Sequence, residues 1–387
     1  MIYLDNAATT WPKPPTVRAA VRQAMERYGA NPGRGGYAMS TDTAGEVYRC
    51  RETAAEFFGL SDPSRVIFTA NCTAALNIVI KGLLKGGGHV VISNMEHNAV
   101  VRPLTGLSSN GVTYSIATVA QTTEKTLENV RRCLRADTKL IVCTHASNVF
   151  GSVLPIAAIG RLAQEKCIAF VVDAAQSAGI LPIDMERDNV DFLCVPGHKG
   201  LYGPMGTGML LCRSSRPLEP LVEGGTGSYS LSFKQPLELP DRLESGTLNV
   251  PGICGLRAGL EFVKREGRET LLQRERWVMM RLYDRLCDLP SAQLYTKHPN
   301  VSDAVPLIAF NLRGRSSEDV ATQLAKADIA VRAGLHCAPL AHQSHGTLPN
   351  GTVRVAPSAF TRTTDVDELY KNLIKISRKP CNTSIVW

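Results

Sequence analysis

Ala169-Phe170-Val171-Val172-Asp173-Ala174-Ala175-Gln176 decides the fold: four apolar residues in a row end in a carboxylate and run into small residues suited to a turn. An apolar run with no polar side to offer water reads as a strand covered on both faces, which is the habit of parallel sheets. The same signature recurs outward from it at Val66-Ile67-Phe68-Thr69, His89-Val90-Val91-Ile92, Leu140-Ile141-Val142-Cys143 and Phe192-Leu193-Cys194-Val195, with helical stretches between. Strands alternating with helices from about Arg65 to Cys212 predict a doubly wound α/β domain of mostly parallel strands. In such sheets a ligand sits beyond the carboxyl ends of the strands, which is where Asn71, Asp173 and Lys199 fall.

After Gly252 the pattern becomes a long helical segment, from Leu256 to Val263 and on through Leu286, that leads into a second domain. There the order reads strand (305–312), helix (316–327), strand, long loop, strand (352–356) and helix (365–376). Ser316 with Asp319, and Thr364 with Asp367, are the expected helix caps. The expected division is a large domain over 15–255 and a smaller α+β domain over 256–387 that also takes in 1–14. Residues past Lys379 read as a loose tail.

A chain of 387 residues exceeds the usual single core, which agrees with two domains. The net charge of +8 comes from scattered residues, since pairs such as Arg131-Arg132 and Arg378-Lys379 are too short to form a stripe. It reads as a solvated basic surface that suits an anionic substrate, and predicts no nucleic-acid partner. No apolar run reaches membrane-spanning length, and Met1 to Asn6 lacks the charged start and apolar core of a signal peptide, so a cytoplasmic protein is expected. Eleven cysteines without a C-x-x-C pair predict neither a disulfide framework nor a metal site. Cys143, Cys194 and Cys212 lie inside apolar runs and read as core.

The chemistry begins with Asp173 and, further on, Pro196-Gly197-His198-Lys199-Gly200-Leu201-Tyr202-Gly203-Pro204, a lysine in a turn. A carboxylate and a lysine are the two groups that a pyridoxal phosphate enzyme needs most. The acid keeps the pyridine nitrogen protonated, and the lysine holds the cofactor as a Schiff base and moves protons. Asp173 is costly to bury without a cation, yet it also fits the N-cap of a following helix with Gln176 three residues on. Lys199 fits an exposed turn, or, between His198 and glycines, a point of close backbone approach. Thr69-Ala70-Asn71-Cys72-Thr73-Ala74-Ala75 opens a helix whose N–H groups and Thr73 hydroxyl suit an anion, although a plain N-cap has the same look. His97 and Asn148 each follow a strand end, one suited to stacking on a ring or relaying protons, the other to donating to a ring hydroxyl or carboxylate; a structural role fits each as well. In the second domain Cys337, beside His336 and near Arg332, is either a reactive thiolate or an incidental thiol. Arg354, in Val353-Arg354-Val355, is either a clamp for a substrate carboxylate or an outward-facing strand arginine.

These residues together resemble the class V aminotransferase family, and within it the cysteine desulfurase and selenocysteine lyase branch, nearly end to end from Tyr3-Leu4-Asp5-Asn6-Ala7-Ala8 to the Arg354 strand. The resemblance implies the fold type I architecture of pyridoxal 5'-phosphate enzymes, with a seven-stranded-type sheet. It implies Lys199 as the Schiff-base lysine, Asp173 as the pyridine-nitrogen partner, Gln176 as a contact to the ring oxygen and His97 as the stacked histidine. Cys72, Thr73 and His198 look like phosphate ligands. Thr247, in Glu244-Ser245-Gly246-Thr247-Leu248-Asn249, is similar to a threonine that reaches the neighbouring subunit's phosphate, which implies a homodimer. Asn148 and Arg354 match substrate-carboxylate positions, and Cys337 matches the cysteine that takes sulfur as a persulfide, leaving alanine, before a possible sulfur-acceptor protein. Selenocysteine cleavage, or another reaction of the family with Cys337 as a bystander, is the alternative. The chain departs from the family at Pro196, where a serine hydroxyl is usual, and at Gly200, which lengthens the lysine loop. It departs again at Leu335-His336 before the cysteine and at Gly33-Arg34-Gly35-Gly36-Tyr37.

Overall fold

The computed structural model describes residues 1–33 and 35–379. Arg34, from the departing glycine-rich segment, and the expected tail from 380 onward lie outside the described residues. The chain divides into two compact units, one of residues 13–145 and 154–268, the other of 1–12, 146–153 and 269–387. Residues 13–14, 146–153 and 256–268 thus group differently from the expected division.

The first unit is built on a seven-stranded sheet in the order Val66–Thr69, Gly208–Cys212, Phe192–Pro196, Ala169–Asp173, Thr138–Thr144, Gly88–Ser93, Val112–Ala117. Gly208–Cys212 runs antiparallel to both of its neighbours; all other pairs are parallel. The five strands read from apolar runs are all present and point the same way. Ala169–Asp173 and Phe192–Pro196 are buried at every position, which is why they needed no alternation. Val112–Ala117 escaped the reading because it is an edge strand with its middle four residues exposed or half-buried, so no apolar run marks it. The expected long helical segment is two helices, Val250–Glu266 and Arg268–Cys287, separated at Gly267, whose φ of 81° no helix continues through.

The second unit carries a three-stranded antiparallel sheet in the order Val353–Val355, Ile308–Leu312, Ala292–Leu294. Ile2–Tyr3 pairs in parallel with Ile329–Ala330, and this fastens the N-terminus to the unit. Leu4, Ile308, Phe310, Val353, Leu369 and Leu373 share its core. The Ser316 cap is as expected, its hydroxyl accepting from Asp319 N–H at 3.1 Å ahead of the helix Ser317–Lys326. The last helix, Thr363–Arg378, is instead capped at Arg362, whose N–H donates to Asp365 at 2.8 Å. Asp367, expected in that cap, takes a bidentate pair from Arg281 at 2.6 and 2.9 Å.

Candidate active site

Parallel strands deliver their carboxyl ends to one edge of the sheet, so the segments holding Cys72 and Thr73, His97, Asp173, and His198 with Lys199 all leave from that edge of the first unit. Asp173 is 2% exposed there. Its Oδ1 accepts from Ala175 N–H at 2.9 Å and from the Cys72 thiol at 3.4 Å. Burial, with Asp173 alongside, pushes the Cys72 thiol well above its ordinary range, so it stays protonated and donates. The expected helix after Asp173 is absent: the carboxylate caps a series of turns over 175–180. Neither donor to this buried carboxylate carries a charge, and Gln176 is buried in the same turns.

The Lys199 turn follows Phe192–Pro196. Tyr202 N–H closes it onto the Lys199 carbonyl at 2.8 Å, and Gly203 N–H onto the Gly197 carbonyl at 2.8 Å. A Cβ on Gly200 would lie 2.4 Å from the Ala178 carbonyl oxygen, and one on Gly179 2.2 Å from the Gly200 oxygen. The glycine after the lysine is therefore required by close backbone approach, and what it approaches is the turn that follows Asp173. This contact sets the Lys199 turn against the turn after Asp173 through backbone alone. Lys13 Nζ donates to the His198 carbonyl at 2.7 Å. Burial, together with the charges of Lys199 and Lys13, pushes the His198 ring down to about 4, so it is neutral.

At the opening of the helix Cys72–Leu83, Asn71 is the N-cap, its side chain accepting from Ala74 N–H at 2.9 Å. Thr73 is exposed on the first turn, whereas the Cys72 side chain points at Asp173. A cap is thus present, and it leaves Thr73 outward. His97 is half-buried and caps the helix Asn98–Gly106, with Nδ1 accepting from Ala99 N–H at 3.0 Å. Before it, Glu96 is fully buried, and burial pushes its carboxyl up to about 8. Its Oε1 accepts from the Ser93 hydroxyl and, at 2.9 Å, from Thr144 N–H, joining two neighbouring strand ends. Thr247 is exposed and lines a cavity of about 390 Å³ with Phe68, Ala74, Ile78 and Leu243.

In the second unit Arg354 is 3% exposed, so it is not an outward-facing strand residue. Its guanidinium donates to Asp5 Oδ1 at 2.9 Å and to the Asn148 carbonyl at 2.7 Å, while its Nε–H has no acceptor among the described residues. The Asn148 amide in turn donates to the His336 carbonyl at 2.7 Å. His336 and Cys337 both take left-handed backbone, with φ of 47° and 58°, where side-chain-bearing residues are held only by their surroundings. His336 is anchored through Nε2 to the Thr352 carbonyl at 3.1 Å, and Cys337 is exposed at the turn. Arg354, Asn148 and the Cys337 turn therefore form one bonded series.

Asp5 and Glu96 escaped the sequence reading as site residues. Asp5 had a signal, a carboxylate ending Ile2-Tyr3-Leu4 as Asp173 ends its strand. Glu96 had none, because nothing local to Met95-Glu96-His97 reveals that its carboxyl turns inward.

The aminotransferase class-V family profile matches residues 2–369. The chain is 31% identical over 384 residues to a probable cysteine desulfurase of Methanothermobacter thermautotrophicus, covering 97% of this chain and 94% of that protein. It is 29% identical to a cysteine desulfurase of Cronobacter sakazakii, over 98% of this chain and 94% of that one. Among solved structures it is similar to an apo cysteine desulfurase from Thermococcus onnurineus, with a TM-score of 0.89, 29% identity and coverage of 97% and 94%. It is also similar to the Escherichia coli cysteine desulfurase CsdA in an S-sulfonic acid form, with a TM-score of 0.86, 27% identity and the same coverage. A match of this extent, on a mostly parallel seven-stranded sheet whose carboxyl edge carries the aspartate and lysine segments, shows that this chain belongs to the class-V aminotransferase family.

Proposed function

We propose that the protein is a pyridoxal-phosphate-dependent cysteine desulfurase that converts L-cysteine to L-alanine and passes the sulfur to Cys337 as a persulfide. The observation that carries this reading is Asp173, a buried carboxylate whose donors among the described residues are an amide and a thiol, with the Lys199 turn packed against its own turn. A buried carboxylate asks for a cation, and a protonated pyridine nitrogen is one. The set fits the cofactor: Asp173 for the ring nitrogen, Gln176 for the ring oxygen, His97 for the ring face, and Lys199 for the Schiff base. Thr73, His198 and the amides at the start of the helix Cys72–Leu83 suit the phosphate. Cys72 serves there through its backbone, because its thiol is committed to Asp173. Bound in this site, pyridoxal phosphate supplies the electron sink that activates the bonds at the substrate Cα and beyond.

The Lys199 amine takes the Cα proton and later returns it. Arg354 holds the substrate carboxylate, for which its Nε–H is available, and Asn148 assists. The Cys337 thiolate attacks the substrate sulfur; its C–S bond breaks as the S–S bond forms, and protonation of the three-carbon fragment leaves alanine. Exposure of Cys337 suits onward transfer to an acceptor protein. Thr247, with exposed Val222, Leu231 and Phe233 in the preceding segment, suits a second copy of the chain in a homodimer. All ten described cysteines are free, which accords with a reducing cytoplasmic compartment, and no described helix is long and apolar enough to cross a membrane.

The test is to supply pyridoxal phosphate, L-cysteine and an excess of a dithiol, which reduces the persulfide and releases its outer sulfur as sulfide, and to measure alanine and sulfide together, for the wild type and Cys337→Ala. Equal yields of both products that are lost in the variant are expected. Alanine that persists in Cys337→Ala makes the cysteine a bystander and refutes persulfide transfer. L-Selenocysteine run in parallel decides between the two cleavage substrates.

A further inference from the structure

Lys13 lies far from the lysine loop in sequence, between Pro12 and Pro14 and just ahead of the helix Pro15–Arg27, so its backbone has little freedom. Its half-buried side chain reaches across 185 positions of the chain to donate to the carbonyl of His198, the residue immediately before Lys199, at 2.7 Å. An ammonium drawn partly out of water is a costly way to fill space, and burial pulls this one down to about 8. The Lys13 and Lys199 charges both act on the neutral His198 ring.

We propose that Lys13 is a positioning residue for the reacting lysine: its ammonium pins the His198 carbonyl and thereby sets the turn that aims His198 and Lys199 at the cofactor. The family motif contributes the lysine and the histidine, and Lys13 supplies a side-chain bond to their shared turn beside the backbone contact of Gly179 and Gly200. This role rests on the pyridoxal phosphate reading. It differs from a phosphate ligand's role, because the ammonium acts through a protein carbonyl and not on the cofactor's charge.

The apoprotein is titrated with pyridoxal phosphate and with pyridoxal, which lacks the phosphate, and absorption reports uptake. Lys13→Met keeps the aliphatic stem and removes the donor and charge; Lys13→Arg keeps both. Loss of a charge-assisted hydrogen bond predicts affinity weaker by roughly tenfold or more in Lys13→Met. The factor should be the same for both compounds, the apoprotein melting temperature should stay near that of wild type, and Lys13→Arg should recover most of the loss. If Lys13→Met does not fold, Lys13→Gln, which keeps a neutral donor, takes its place with an intermediate loss expected. Wild-type affinities in the variant overturn the proposal. A loss confined to the phosphate-bearing compound also overturns it, in favour of direct pairing with phosphate. A wild-type protein that takes up neither compound refutes the cofactor reading itself, and the role of Lys13 with it.

Discussion

Arg51 and Glu244 form an ion pair whose loss should be among the most damaging single changes in the first unit. The guanidinium donates to both carboxylate oxygens, at 2.8 and 2.6 Å, and the side chains are only 6% and 5% exposed. Arg51 also donates to the Val66 carbonyl and lies over the Phe68 ring at 4.6 Å, while Phe68 N–H donates to Glu244. The pair thus ties the strand that leads to Asn71 and Cys72 to the segment that leads to Thr247. With both groups so far from water, solvent screening offers little relief to whichever charge is left alone. Arg51→Met and Glu244→Gln should therefore each cost about 3–5 kcal/mol. The double variant leaves no unpaired charge, so it should cost less than the sum of the singles by about 2 kcal/mol or more. Urea unfolding followed by circular dichroism measures all four corners of this cycle, and amide exchange in the strand Val66–Thr69 locates the loss. Single losses below about 1 kcal/mol that simply add would mean the pair behaves as a solvated surface bridge, and the argument from burial would be wrong.

Gly200→Ala should push the Lys199 turn away from the turn after Asp173, since the new methyl would start 2.4 Å from the Ala178 oxygen. A destabilisation of about 1–3 kcal/mol and weaker cofactor retention are expected, with Gly29→Ala, where nothing lies within 4 Å, as the silent control; equal behaviour of the two would refute the close-approach reading. Glu96 carries a folded-state pKa raised to about 8 from 4.5, so folding favours its protonated form. Its stabilising contribution is full below the unfolded value and is lost as pH rises towards 8, at about 1.4 kcal/mol per pH unit. Glu96→Gln should flatten the stability profile between pH 5 and 8 in urea titrations, and an unchanged slope would show that Glu96 is already ionised in the folded protein.

The continuous apolar runs of Val66, His89, Leu140, Ala169 and Phe192 determined the parallel core of the sheet, because a strand buried on both faces has no room for alternation. Strand ends in a parallel sheet share an edge, so the grouping of Asp173 with His97, Cys72 and Lys199 was also legible in one dimension. Tertiary packing decided the rest. Which strand Gly208–Cys212 reverses between, and that Val112–Ala117 forms an edge, depend on neighbours that no local pattern names. That Cys72 turns its thiol to Asp173, that Gly200 answers to Ala178, and that Arg354 is buried against Asp5 are contacts between residues distant in sequence. Residue type and spacing record what a segment can do locally. Which buried charge meets which partner is set by the whole chain, since the cost of leaving one unpaired exceeds any local preference.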